Sequence, residues 1–387
     1  MKGKLKVGIV GLGRGSGFIR NFTLITETEV IALCDVDENR LNNVAEQFNI
    51  EKRFTDYEKM IEDDIDIVVL ATPENLHAPQ SISALNAGKH VVSEVTAATS
   101  IEQCYELVRT VKKSKTKYMM AENSCYSQSN VLIKNMVRKG LFGDIYFGEG
   151  EYVHDVKSLH HDSQGNPTWR YYWQVGINRC NYATHSLGPV LQWFRYASGF
   201  DTPLRAYSTQ ASTQGFDGRV ATVSCLGTGV HTDPEHAMED TVLMLCKTES
   251  GALIKIRIDM LSNRPPNSYF SLQGTKGCYE GTRGFGDKPK VWLEDYHNKY
   301  EWHPLSEFEY EFMPERWKNP PEEAVRAGNV SGEYFELRDF VDSIIHDTSP
   351  PMDVYTAMDF TVPGLVSEES IANGGAPVQV PNFREIE

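Results

Sequence analysis

Basic residues, paired cysteines and long apolar runs are all scarce in this sequence, and each shortage excludes a class of function. Lys and Arg number 38 against 53 Asp and Glu, a formal net charge of −15, and no Lys/Arg-rich run makes a local exception. Such a chain repels a phosphate backbone, which argues against nucleic acid as a partner. The seven cysteines (34, 104, 125, 180, 225, 246 and 278) are odd in number and scattered, without a Cys-x-x-Cys spacing. Reduced, packed thiols are expected rather than a disulfide framework, a thiolate zinc site or a redox pair. No apolar run is long enough to span a bilayer, and the opening MKGKLKVGIVGLG enters a strand pattern with no signal-peptide core. The expectation is a cytoplasmic chain with no membrane partner.

What is present is a chain of 387 residues, 40 % hydrophobic, long enough for two separate cores. Up to residue 123, short β-branched runs alternate with helical patterns, the rhythm of a parallel sheet covered by helices on both faces. Strands read Leu5–Val10, Val30–Cys34, Ile67–Ala71, His90–Ser93 and Tyr118–Ala121. Asp37 is placed to cap a helix with the stripe Leu41, Val44, Ala45 and Phe48, and Ser100 with Gln103 reads as a capping box for the next. Residues 124–387 change rhythm: a helix over Val131–Lys139, a long strand Ile145–Val153, a helix from about Asn181 to Phe194, then mostly strands from Ala206. Among the last, Thr241–Lys247 and Ala252–Asp259 form a hairpin. Trp302–Gly328 reads as a surface excursion and Tyr334–Ile345 as a helix. The reading is an α/β domain over 1–123 and an α+β domain over 124–387 with a largely antiparallel open sheet, its C-terminal segment returning toward the first domain.

Gly11, Gly13, Gly15 and Gly17 lie in a turn between the first strand and its helix, where glycines let the backbone approach a pyrophosphate seated on the helix N-terminus. Ser16 holds the place of the motif's third glycine, and the turn alone leaves open a glycine-rich connection without a ligand. Asp35, at the end of the second strand, stands where an acidic side chain accepts hydrogen bonds from ribose hydroxyls and repels a 2′-phosphate. NAD is thereby favoured over NADP.

With these residues in hand, the chain resembles the glucose-fructose oxidoreductase and inositol dehydrogenase family (Gfo/Idh/MocA) over essentially its whole length. The resemblance is carried by Cys34-Asp35-Val36-Asp37, Thr72-Pro73-Glu74-Asn75-Leu76-His77, Gly88-Lys89-His90-Val91 and the closing Gly374 to Pro381 segment. It implies a nicotinamide between the domains and a substrate pocket on the second. Typical dehydrogenases of that family carry Glu-Lys-Pro after the fifth strand; here Glu94-Val95-Thr96 lacks the proton-handling lysine, and Asn181 replaces an Asp four residues before His185. Both departures are similar to the NAD-dependent glycosidases of glycoside hydrolase family 109. So are Glu122-Asn123-Ser124-Cys125-Tyr126, Glu149-Gly150-Glu151-Tyr152-Val153-His154-Asp155, and Tyr182-Ala183-Thr184-His185-Ser186-Leu187-Gly188-Pro189-Val190. Asp353-Val354-Tyr355 and Ser367 to Asn373 also match, whereas Arg264-Pro265-Pro266-Asn267 stands where that branch tends to have a substrate-contacting Tyr.

What the resemblance implies is a sugar-active enzyme in which bound NAD oxidises C3, a side-chain base removes the acidified C2 hydrogen, the C1 group is eliminated, water adds and C3 is reduced again. It implies His185, Tyr182, Tyr152 and Glu149 as catalytic candidates, and Gly11, Gly13, Arg14, Gly15, Asp35, Asn75, His77, Glu94, Val95, Asn123, Arg170 and Tyr355 around the cofactor. Glu149 and Tyr152 lie at odd separation on one strand, so only one of them faces the substrate in a regular strand, and Tyr152 is the choice. His154, Asp155, His160, His161 and Asp162 fit no metal-ligand spacing, so no metal is expected. Trp169, Tyr171, Tyr172 and Trp173 read either as a stacking wall for a sugar or as packing. A homo-oligomer through the C-terminal sheet is expected. A conventional sugar or polyol dehydrogenase and a non-catalytic NAD-binding regulator remain as alternatives.

Overall fold

The computed structural model describes residues 3–197, 218–228, 238–298, 301–328 and 332–386. The N-terminal part runs β1 (Leu5–Val10), α1 (Leu12–Leu24), β2 (Thr28–Cys34), α2 (Glu38–Phe48), β3 (Lys52–Phe54), α3 (Tyr57–Ile61), β4 (Ile67–Leu70), α4 (Glu74–Asn86), β5 (His90–Glu94), α5 (Ile101–Lys113) and β6 (Tyr118–Ala121). There follow α6 (Gln128–Arg138), β7 (Ile145–Val153), α7 (Trp169–Gln174), α8 (Ala183–Ala197), β8 (Val220–Gly227), β9 (Thr241–Thr248), β10 (Leu253–Asp259), β11 (Asn267–Gly274), β12 (Gly277–Glu280), β13 (Lys290–Leu293) and β14 (His303–Pro304). The chain closes with α9 (Glu309–Phe312), α10 (Glu315–Lys318), α11 (Glu322–Ala327), α12 (Glu333–Ile345), α13 (Val354–Ala372) and β15 (Val378–Gln379).

The chain divides into two compact units, Met1–Tyr126 with Pro320–Met358 and Asn382–Glu387, and Ser127–Asn319 with Asp359–Pro381. The first unit thus takes in Pro320–Met358 and Asn382–Glu387 as well as the residues up to Tyr126. Helix α12 is the reason: its Phe335, Leu337 and Phe340 are buried, and it packs on α1 and β6 of the first unit.

In the first unit six parallel strands lie in the order β3-β2-β1-β4-β5-β6. The order reverses between β1 and β4, and ligands of such sheets bind outside the carboxyl ends of the strands at that switch point. Val7, Ile9, Val68, Val69, Val91, Val92, Met119 and Met120 form the buried layer. Asp37 caps α2 through the amides of Asn39 and Arg40. Ser100 accepts from Gln103 N at 3.2 Å, but the reciprocal bond of the box is shifted by one residue, from Thr99 N to Gln103 Oε1 at 2.9 Å.

Among the described residues the second unit holds a nine-stranded sheet in the order β14-β13-β12-β11-β7-β10-β9-β8-β15, with β7 and β10 the one parallel pair among them. The β9–β10 hairpin pairs antiparallel from Lys247 and Leu253 to Thr241 and Asp259. The expected strands from Ala206 begin, among the described residues, with β8; residues 206–217 lie outside them. Helix α8 covers one sheet face because β7 offers glycines there. A Cβ on Gly150 would stand 2.4 Å from Ser186 O, and one on Gly148 2.6 Å from Val190 Cγ1. The expected excursion after Trp302 instead folds into α9, α10 and α11, with Leu305, Phe308, Phe312 and Met313 buried.

Candidate active site

Of the residues expected around the cofactor, all but Arg170, which belongs to the second unit, are held in the first. Gly11 takes the left-handed conformation (φ 81°) just before α1, and a Cβ there would lie 2.5 Å from Ala71 O. A Cβ on Gly13 would meet nothing within 4 Å, so this is the open point of the turn, whereas one on Gly15 would lie 3.0 Å from Ile9 Cγ2. Gly15 thus does the helix-to-strand packing that the third glycine of such a motif does. Gly11, at the N-cap, offers α1 no side chain, and the first turn holds no acidic residue. Its amides are therefore oriented to receive an anionic group, which fits a pyrophosphate.

Asp35 is buried and braces this turn. Its Oδ2 accepts from Leu12 N at 2.8 Å, its Oδ1 from Asp37 N at 2.9 Å, and Arg40 Nη1 stands 3.3 Å from both oxygens. A carboxylate has further lone pairs, so bracing and ribose recognition are compatible. Asn75 lies in the first turn of α4. His77 is buried, with Nδ1 2.8 Å from Thr96 O and Nε2 2.8 Å from Thr72 O. It ties together the loops after β4 and β5, and burial lowers its pKa despite the two carbonyls. Arg14 Nε pairs with Glu94 Oε1 at 2.7 Å and its Nη2 with Glu333. Val95 is 6 % exposed. Asn123 opens the 3-10 turn after β6, and Tyr355, in the first turn of α13, lies under the Arg384 guanidinium.

Two residues of this region were not anticipated: Glu333 and Glu336 of α12. Glu336 is fully buried, and neither carboxyl oxygen has a hydrogen-bond partner among the described residues. Burial, then the charges of Glu94, Glu122 and Glu333, push its pKa well above the usual carboxylate range, against the pull of Arg14.

The catalytic candidates belong to the second unit. Tyr152 projects from β7 toward α8, the face that Gly148 and Gly150 share, and its ring centroid lies 5.0 Å from that of His185. Tyr182 lies just before α8 in the left-handed conformation (φ 55°), so the helix starts two residues later than expected. A non-glycine residue there costs of order 1 kcal/mol and is common at functional sites. Tyr182 stacks on His185 at 5.7 Å with an interplanar angle of 6°. Arg170 Nη1 donates to Tyr182 Oη at 2.8 Å, its guanidinium lying over the Trp169 ring. His154, which the sequence weighed and set aside as a metal ligand, has Nδ1 3.2 Å from Tyr152 Oη.

The structure does not bring Glu149 into this group. It lies on the opposite face of β7, paired with Lys255 and 3.4 Å from Ser271 Oγ. In the 154–162 segment, His160 Nε2 meets Gln174 Oε1 at 3.2 Å, and Asp162 accepts from the Gln164 and Asn166 amides. Elsewhere His297, His303 and Glu307 bring possible ligand atoms within 4.8 Å. The two imidazoles stack at 3.7 Å and 5°, however, so their planes cannot both contain one ion. His297 Nδ1 is also taken by Leu293 N at 3.0 Å.

Residues 126–386 match the family described as glycosyl hydrolase 109, C-terminal domain. Glycoside hydrolase family 109 is where this chain belongs. Residues 5–122 match the oxidoreductase family with an NAD-binding Rossmann fold, so the first unit is an NAD-binding domain and the chain an NAD-dependent enzyme. Among family 109 relatives, a protein of Solibacter usitatus (strain Ellin6076) is 30 % identical over 400 residues, covering 98 % of this chain and 88 % of that one. An alpha-N-acetylgalactosaminidase of Shewanella oneidensis (strain MR-1) is 29 % identical, covering 98 % and 85 %. The fold is shared with levoglucosan dehydrogenase in complex with NADH and L-sorbose, at a TM-score of 0.76 and 19 % identity over 98 % of this chain and 100 % of that one. No helix among the described residues is long and apolar enough to cross a membrane.

Proposed function

We propose that this enzyme hydrolyses a sugar glycoside by temporary oxidation of the ring rather than by direct displacement at C1. Bound NAD supplies the oxidation at C3 and its later reversal, with no net redox change. The α1 N-terminus and Gly13 receive the pyrophosphate, Asp35 the ribose, and Asn75, Glu94, Val95, Asn123 and Tyr355 border the cofactor, with His77 fixing the loops that carry them. Tyr152, Tyr182 and His185 contact the sugar and move its protons.

The observation that carries this reading is His185 flanked by two tyrosines with polar partners, 5.0 and 5.7 Å away by ring centroids. Val95, buried and apolar, stands where the resemblance to sugar dehydrogenases would have a lysine, so proton traffic falls to the second unit. Membership of family 109 supports hydrolysis over net dehydrogenation, and the Shewanella relative makes an α-N-acetylgalactosaminide the first substrate to offer. The test is hydrolysis in heavy water, following alcohol release and reduced cofactor together. Deuterium at C2 of the released sugar with NAD oxidised at the end supports the reading. Stoichiometric NADH with an intact glycosidic bond overturns it, and alcohol release without deuterium points to displacement by carboxylates.

A second copy of the chain is proposed to cover the outer sheet face, where Leu226, Leu243, Leu245 and Leu253 are 38–58 % exposed and Leu226 pairs with Leu243 across β8 and β9. An apolar row of this kind fits an interface; Leu245→Asp should give a monomer by light scattering. The seven free thiols support a reducing, cytoplasmic location.

A further inference from the structure

Two tyrosine hydroxyls flank His185, and their partners differ in chemical kind. The partner of Tyr182 is Arg170, at 2.8 Å. A guanidinium donates and never accepts, so the Tyr182 oxygen is the acceptor of this bond and its own hydrogen is directed elsewhere. The partner of Tyr152 is His154 Nδ1, at 3.2 Å. Burial, the Arg170 charge and His185 hold His154 below the ordinary histidine pKa, against the pull of the adjacent Asp155. The ring is then a neutral imidazole at neutral pH. With its proton on Nε2, Nδ1 accepts from the Tyr152 hydroxyl.

On the glycosidase reading given above, we propose that the two tyrosines divide the acid and base work: Tyr152, emptied toward His154, removes the C2 hydrogen, and Tyr182, polarised by Arg170, protonates the departing oxygen. His154 and Arg170 are positioning residues that act through them. With C3 oxidised by NAD, the C2–H bond breaks, its proton goes to the Tyr152 oxygen, and the phenolic proton passes to His154 Nδ1. The freed pair forms the C1=C2 bond as the C1–O bond breaks. The departing oxygen keeps that bond's pair and takes the Tyr182 proton. The phenolate left on Tyr182 faces Arg170 and offsets the repulsion between Arg170 and the new imidazolium. Water addition reverses each transfer: hydroxide goes to C1, the water's other proton to Tyr182, and the His154 proton returns through Tyr152 to C2.

The test separates the steps. His154→Asn keeps an acceptor near Nδ1 that cannot hold a proton. Rapid mixing with a methyl α-N-acetylgalactosaminide should still show transient cofactor reduction within a few-fold of wild type, while C2 deuteration in heavy water falls by roughly 100-fold and added imidazole restores part of it. Arg170→Gln should retain C2 deuteration but slow release of methanol far more than release of nitrophenol, which leaves without protonation; Arg170→Lys should recover part of the loss. Wild-type C2 exchange in His154→Asn, or equal losses for both leaving groups in Arg170→Gln, would overturn the division of roles. The leaving-group comparison stands even if the His154 variant does not fold. A wild-type enzyme that accumulates NADH and releases no alcohol defeats the glycosidase reading itself, a different outcome from either.

Discussion

The position a Gly150 side chain would take lies 2.4 Å from the backbone oxygen of Ser186. One strand glycine thus sets how closely β7 and α8 approach, and with it the separation of Tyr152 from His185. Gly150→Ala should destabilise the protein by about 1–3 kcal/mol, because a carbonyl cannot swing aside as a flexible side chain would, and turnover should fall with it. Gly284→Ala, where a Cβ meets nothing within 4 Å, should be near neutral. Equal thermal midpoints for the two variants would contradict this account.

Asp35 combines two duties, and its removal should reveal both. Asp35→Ala gives up the bonds to the Leu12 and Asp37 amides and frees Arg40. NAD affinity should drop roughly 10- to 100-fold, the size of a lost charge-assisted hydrogen bond, while NADP loses less because Arg40 can meet a 2′-phosphate. Titration calorimetry with both cofactors measures this; equal affinities in the unmodified enzyme would remove the assignment.

His185 is only partly buried, so its replacement should separate chemistry from packing. His185→Asn is expected to lower kcat/KM by roughly 100-fold or more with the melting temperature and NAD binding almost unchanged. A large fall in melting temperature would instead identify a packing histidine.

Glu336 links stability to pH. In the unfolded chain it ionises near its ordinary 4.5, whereas the folded protein holds the proton to higher pH. The folded state is therefore progressively disfavoured as pH rises from about 4.5 toward the folded value, and suffers no penalty below it. Glu336→Gln should match wild type near pH 4 and exceed it at pH 7 by several degrees of melting temperature, at roughly 2–4 °C per kcal/mol. A constant difference across pH would show that the carboxyl is not the cause.

Periodicity made much of this architecture legible. β1 and β7 have the bounds read from the sequence, Leu5–Val10 and Ile145–Val153. β3 escaped because three residues, two of them exposed Lys52 and Arg53, carry no alternation at an edge. The helices after Trp302 escaped because the stretch, rich in Pro, Glu and aromatics, read as a surface excursion; Pro314 and Pro321 in fact precede α10 and α11, where a missing amide hydrogen costs nothing. In the site, strand parity separated Tyr152 from Glu149 and could equally have joined Tyr152 to His154 two residues on, which the metal question obscured. The Arg170–Tyr182 bond was beyond reach, because it closes twelve residues of mostly irregular chain through a left-handed Tyr182.

The thiols have a practical consequence. Six of the seven are buried, and burial pushes Cys34 and Cys225 up to about 12 and raises Cys104, Cys180 and Cys246 as well. Alkylating reagents attack thiolates, so the folded enzyme should stay nearly silent to maleimide while the unfolded chain takes up label. Reagent uptake then becomes a clock for global opening. A single cysteine introduced on the surface could carry a dye without any native thiol being removed.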